Sequence, residues 1–306
     1  MRDFAPGSSF VDLDFLERQR VIATAVLHGR DGVALVDPGP TSTLPTLRRK
    51  LHDAGIELAE VSSILLTHIH LDHAGVCGDL VSELPGVRVF VHERGAPHMV
   101  DPSKLIASAS RLYGDANMER LWGSIRPVPE QALVVLRGGE AIEAGGQHLD
   151  VEYTPGHASH HVSYFNRSTA VAFVGDTAGV RLADAGQVLP PTPPPDIDLD
   201  AWTSSLDLIE HREPGTLFLT HFGPYSAPAG HIAELRQRLR QVADMAKASL
   251  EREGTDDERE RWFTGEVRKE MLQHTGGIAP ESYEAAARLD LNWRGLARYW
   301  RKRAGL

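Results

Sequence analysis

Apolar positions recur in short β-type runs over the first two thirds of the chain and at helical spacing over the last third. Val21-Ile22-Ala23-Thr24-Ala25-Val26-Leu27 and Val33-Ala34-Leu35-Val36 flank Gly29-Arg30-Asp31-Gly32, which predicts a hairpin. Leu44, Leu47 and Leu51 predict a helix over 41–54, stopped by Gly55. A buried strand over 61–66, a helix over 74–84 and a strand over 87–91 extend the order to β-β-α-β-α-β, a mixed α/β pattern. Residues 93–122 turn helical, an excursion from the sheet closed by Pro127 and Pro129. Short strands are expected at 133–136, 140–143, 149–153, 162–165 and 170–174, with Gly138-Gly139 and Gly145-Gly146 at turns. A helix over 200–211 and a strand over 216–219 follow.

Two stretches break this rhythm. In Leu189-Pro190-Pro191-Thr192-Pro193-Pro194-Pro195 five prolines remove five backbone donors, so the run cannot sit inside a sheet. It reads first as a rigid spacer, and second as a stiff wall at the mouth of a site. Beyond Pro228 only helices are expected, over 233–250, 257–273 and 281–303. Leu235, Leu239 and Val242 form an apolar stripe, and Trp293, Leu296, Tyr299 and Trp300 must pack on the core or on another subunit. Two β-rich layers with helices outside make an αββα sandwich the economical arrangement.

Composition narrows the class without naming it. The 306 residues are 42% hydrophobic and 24% charged, ordinary for a globular chain. A net charge of -10 argues against a nucleic-acid surface, which needs clustered Lys and Arg. Cys77 is the single cysteine, so no intrachain disulfide forms, as in a reducing compartment. The start Met1-Arg2-Asp3-Phe4-Ala5-Pro6-Gly7 lacks the apolar core of a signal peptide, and no run reaches the ~20 apolar residues of a membrane span. The expectation is a cytoplasmic protein.

Chemistry concentrates in Thr67-His68-Ile69-His70-Leu71-Asp72-His73-Ala74-Gly75, directly after an apolar strand. His68 and His70, two apart, can converge on one point, while Asp72 and His73 face a second. Imidazole with carboxylate suits zinc, iron or manganese and leaves room for water. Three later pieces each follow a strand: Thr154-Pro155-Gly156-His157, Gly175-Asp176-Thr177 and Leu219-Thr220-His221. Strand ends are where sheets present functional groups. His28, His52, His98, His211 and His274 lack such context and read as surface or packing residues.

The five pieces from Asp37 to Pro224, in this order, resemble the metallo-β-lactamase superfamily, whose signature is a T-H-x-H-x-D-H-x-G loop, then G-H, G-D and T-H. The resemblance implies an αββα sandwich holding two divalent metal ions, zinc first, with manganese or iron as alternatives. Carried over, His68, His70 and His157 would hold one ion and Asp72, His73 and His221 the other, with Asp176 bridging. Asp37 would support the ligands, and His161 would orient one of them through its other nitrogen. The implied activity is hydrolysis by a metal-bridging hydroxide, with Asp72 shuttling a proton and Tyr225 polarising a carbonyl at the open position.

The implied organisation is a catalytic domain over 1–228, with a helical insertion at about 93–126, and a helical C-terminal extension over 229–306. The substrate would be a small ester, thioester or lactone, with no nucleic acid or membrane partner, and the aromatic final helix makes a homodimer plausible. Asp176, where one β-lactamase subclass needs Cys, matches the glyoxalase II and lactonase branches. Alternatives are a mononuclear iron dioxygenase acting on a persulfide, or hydrolysis of a β-lactam or phosphodiester.

Overall fold

The computed structural model describes residues 1–29 and 32–305, so the middle of the expected hairpin, Arg30 and Asp31, lies outside the described residues. One sheet carries, in chain order and spatial order alike, β1 (Arg2–Ala5), β2 (Ser8–Asp12), β3 (Ala23–Gly29), β4 (Gly32–Val36), β5 (Val61–Leu65), β6 (Arg88–His92) and β7 (Leu133–Leu136). The second carries β8 (Ala141–Ala144), β9 (Gln147–Tyr153), β10 (Val162–Asn166), β11 (Val171–Phe173), β12 (Thr216–Leu219) and β13 (Gly223–Tyr225). β3 and β4 pair antiparallel through Gly29 and Gly32, as a hairpin requires. β4, β5 and β6 run parallel, as do β11 and β12. Parallel neighbours need crossovers, and helices supply them.

Alternation along single strands builds the layers. On β4, Val33 and Leu35 enter the cluster under the outer helices, while Ala34 and Val36 enter the cluster between the sheets. Across that interior, Leu65 and Phe90 of the first sheet meet Val151, Tyr164, Phe173 and Phe218 of the second. Strands buried on both faces read as continuous apolar runs, and so they do here. The fold is the αββα sandwich with a helical insertion and a helical C-terminal part.

The helices are α1 (Leu44–His52), α2 (Leu71–Ala74), α3 (Cys77–Glu83), α4 (Ala96–Val100), α5 (Ser103–Tyr113), α6 (Asp115–Trp122), α7 (Leu199–His211), α8 (Pro228–Leu250), α9 (Asp256–Gln273), α10 (Pro280–Ala286) and α11 (Leu289–Arg303). α1 buries Leu47 and Leu51, one turn apart, against the first sheet. α4 to α6 form the excursion. On the far side, Leu217 and Leu219 of β12 share a cluster with Trp202 of α7, Leu235 of α8, Phe263 of α9 and Trp293 of α11. The aromatic final helix therefore packs on the core, with Trp293 donating to Ser249 Oγ at 2.7 Å. The helix expected over 281–303 is broken at Ala287–Arg288 into α10 and α11. β1, β2 and β13 are additions that the sequence pattern did not mark. Among the described residues no helix is long and apolar enough to cross a membrane.

Candidate metal centre

The motif side chains meet at the strand ends, in the crevice between the sheets. β5 delivers Thr67 to His73, β11 delivers Asp176 through a short 3-10 turn, and β12 delivers His221. The sheets are stitched beside them: Val162 N donates to Thr67 O at 2.8 Å, Tyr164 Oη to Leu66 O at 2.7 Å, and Ala23 N to Thr220 O at 2.8 Å. Gly175 is required there. Its φ is +44°, and a Cβ would overlap Thr67 Oγ1 and lie 2.7 Å from His161 Nε2.

Three imidazole nitrogens converge first. His70 Nδ1 lies 2.9 Å from His68 Nε2 and 3.0 Å from His157 Nε2. Beside them, His73 Nε2 and His221 Nε2 lie 3.8 and 3.5 Å from Asp72 Oδ2. Asp176 stands between the two groups. Its Oδ2 is 3.4 Å from His157 Nε2, and its Oδ1 is 3.4 Å from His73 Nε2 and 3.6 Å from His221 Nε2. His68, His70 and His157, and separately Asp72, His73 and His221, each present donor atoms within 4.8 Å of one another. The structure brings together all seven expected residues.

Three of the histidines have a second nitrogen held in a way that aims the first. His157 Nδ1 donates to Pro191 O at 2.8 Å, His221 Nδ1 to Val21 O at 2.6 Å, and His73 Nδ1 to Asp37 Oδ2 at 2.8 Å. With Nδ1 engaged, Nε2 is the nitrogen left to face the centre. Asp37, fully buried, also accepts from Thr67 N, Thr67 Oγ1 and Thr220 Oγ1 at 2.7 to 2.8 Å. It fastens the first loop to the last.

The electrostatics match a cation site. Burial, then the other imidazoles, push His68 well below the usual histidine range and His70 down to about 4, so both stand neutral. Burial works to raise the Asp72 and Asp176 carboxyls, but neighbouring His73 and His221 outweigh it and hold both low. Against their own burial, the carboxylates push these two histidines upward in turn. Buried His73 Nε2, His221 Nε2 and Asp176 Oδ1 have no hydrogen-bond partner among the described residues. Such atoms are costly unless something satisfies them, and a divalent cation among lone pairs and carboxylates would. The residues fit the group that the sequence motif implies.

Three expectations need correction. Tyr225 does not reach this centre. Four residues past His221 the chain has turned into β13, which pairs Tyr225 with Leu217. Its hydroxyl accepts from Arg181 Nη1 at 2.9 Å, and that guanidinium lies 4.5 Å from the centre of its ring. His161 bonds no ligand; its Nδ1 pairs with Thr154 Oγ1 at 3.0 Å while its ring stacks on His68. The proline run is a wall rather than a spacer. Pro191, Pro193, Pro194 and Pro195 line a cavity of about 300 Å³ that opens onto His70, Asp72, His157 and Asp176.

The same cavity is lined by Tyr113 and Trp122 of the excursion, and by Arg288 and Leu291 at the start of α11. It also includes His98, read from sequence as ordinary surface, and His160, which sequence reasoning passed over. The position of His160 beside two other histidines in Gly156-His157-Ala158-Ser159-His160-His161 was the signal that could have found it. No comparable signal marked Pro191 O or Val21 O, which are backbone groups.

The sequence profile of the metallo-beta-lactamase superfamily matches residues 19–221, two thirds of the chain. The chain belongs to that superfamily. A metallo-beta-lactamase fold-containing protein of Sulfurisphaera tokodaii, ST1585, is 31% identical over 212 residues, covering 68% of this chain and 75% of that protein. A hydroxyacylglutathione hydrolase of Legionella pneumophila is 25% identical, over 46% of this chain and 41% of its own length. The crystal structure of the metallo-beta-lactamase family protein TTHA1429 of Thermus thermophilus superposes with a TM-score of 0.71 over 98% of this chain and 94% of its own, at 23% identity. That likeness speaks for the fold of this metallo-beta-lactamase superfamily member. With its His and Asp groups, the chain is a metallo-hydrolase that uses divalent metal.

Proposed function

We propose that this metallo-hydrolase is dinuclear and cleaves an ester, thioester or lactone bond in a small molecule. The observation that carries the reading is the division of the Asp176 carboxylate, one oxygen toward His157 and the other toward His73 and His221. A carboxylate placed so can serve two ions at once. His68, His70 and His157 would hold the first, and Asp72, His73 and His221 the second, both zinc by preference for imidazole-rich sites. Two such ions, when bound, lower the pKa of water and polarise a carbonyl oxygen.

The chain's own groups then do the rest. Asp37 and the backbone carbonyls of Pro191 and Val21 hold the His73, His157 and His221 imidazoles with Nε2 toward the centre. Asp72, more exposed than Asp176 and facing the cavity, can take a proton on its carboxylate and return it to a leaving group. Leu105, Leu112, Trp122 and Leu291 keep one side of the cavity apolar, which limits water around the bond to be cut. Residues 1–228 form the catalytic unit in this reading, and residues 229–306 complete its outer layer and one wall. The partial likeness to hydroxyacylglutathione hydrolase supports a thioester among the substrates.

Metal analysis of the purified protein with a substrate panel tests the proposal. Two zinc or manganese equivalents per chain and turnover of thioesters or lactones are expected. One iron per chain, with oxygen uptake on a persulfide, would overturn it.

A further inference from the structure

Arg94 and Lys104 line the metal cavity, and neither has a carboxylate within ion-pair distance among the described residues. Arg288, a third cation in the lining, is neutralised by Asp290, with Nε 3.0 Å from Oδ1. Arg94, an exposed residue, lies over an aromatic ring. Its guanidinium carbon lies 5.6 Å from the centre of the Tyr153 ring, and that ring stacks on His92 at 4.5 Å with 7° between planes. Tyr153 Oη donates to Ser159 O at 2.9 Å, which fixes the platform. Asp196, the carboxylate on this wall, accepts from Ser159 Oγ at 2.6 Å and makes no ion pair with Arg94.

A guanidinium laid on an aromatic platform keeps its donor fork free, and that fork fits carboxylate and phosphate. In a chain of net charge -10, an exposed guanidinium that lines the cavity, lies over a ring and has no ion pair is free to take an anion. We propose that Arg94 binds a carboxylate or phosphate at the end of the substrate remote from the bond that is cut, with Lys104 adding to the field. The apolar stretch between would lie along Leu105, Leu112 and Leu291. The substrate class is then an anionic ester, thioester or lactone with an aliphatic spacer, an inference that rests on the hydrolase reading above.

Binding is measured by calorimetry on the metal-loaded protein, using dicarboxylates from succinate to sebacate against monocarboxylates of equal length. A carboxylate at the metal is common to each pair, so its contribution cancels in the ratio. At the best length the dicarboxylate should bind about tenfold tighter or more, the scale of a charge-assisted contact. In Arg94→Gln the ratio should fall to about one, and Arg94→Lys should keep part of it, the charge without the fork. An ω-phosphorylated acid of the best length separates the two anions, since the tighter of phosphate and carboxylate identifies the natural group. Equal affinities at every length, or a ratio unchanged in Arg94→Gln, would overturn the assignment. The assay needs no turnover. Failure to hydrolyse any ester would sink the hydrolase reading while the binding ratio still decides on Arg94.

Discussion

The floor of the cavity is made from the ends of β4, β5, β11 and β12, whereas its walls come from α4–α6, the proline run and the start of α11. On the floor the atoms turned away from the centre are fastened, and Asp37 alone accepts from three residues of two loops. His73 Nε2, His221 Nε2 and Asp176 Oδ1 face the centre without a hydrogen-bond partner among the described residues. The walls are mostly apolar contact and backbone, with Arg94 poised on a ring. A floor built this way would hold a metal through fastened side chains, and walls built this way can vary without moving them. Chemistry and specificity are thus assigned to different layers of the same molecule.

One connection crosses between them. Asn292 of α11 accepts from Thr192 N at 2.8 Å, and Thr192 Oγ1 donates to Asn292 O at 3.2 Å. Gly295, one turn on, lets the helix lie against the run, since a Cβ there would overlap Thr192 O and reach 2.8 Å from Pro193 C. The run in turn offers Pro191 O to His157. A helix near the chain's end therefore steadies a metal-facing histidine.

The comparison can be broken most severely at the floor. Asp176→Ala should release at least one metal equivalent and cut kcat/KM by on the order of a thousandfold, several kcal/mol of lost charge stabilisation. Metal content measured by emission spectrometry checks this, and an unchanged content would refute the bridging role. Asp37→Ala leaves buried Thr67, Thr220 and His73 donors unpaired, and should cost about 3–5 kcal/mol in denaturant unfolding. Metal affinity should fall by roughly 10–100-fold in the same variant.

Smaller effects should come from the connection. Gly295→Ala would gain about 1 kcal/mol of helix propensity at an ordinary site. Here the overlap with Thr192 O decides the sign, and a net loss of about 1–3 kcal/mol is expected. Thermal unfolding reads it; a rise in Tm would show that the helix and the run can separate freely. Asn292→Ala, which removes one bond to Thr192 N, should cost about 1 kcal/mol and weaken metal binding only a few-fold. If metal affinity fell as far as in Asp37→Ala, the division between floor and walls would be wrong.

Much of the floor was legible in the residues because its clustered His and Asp side chains sit at fixed spacings from apolar strands. His68 and His70 stand two apart, Asp72 and His73 begin α2, and Asp176 and His221 each follow a strand end. The αββα layering was legible because two stretches of short apolar runs stand among helical ones. The alternation of β4 and β12 between two buried faces is hidden in continuous apolar runs. Tyr225 misled because its separation from His221 says nothing about the reversal into β13 that lies between them.

Local pattern by itself determined the elements, the order of the motif and the identity of the seven clustered side chains. These depend on periodicity and on neighbours along the chain. Tertiary structure decided that the prolines are a wall, that α11 reaches the site, that Asp37 joins the first loop to the last, and that Arg94 rests on Tyr153. Those contacts join residues 30 to 183 positions apart, through the Asp37 and Asn292 side chains, the Tyr153 ring face and the backbone carbonyl of Pro191. A backbone carbonyl carries no residue-specific mark, so its role appears only once packing has chosen its partner.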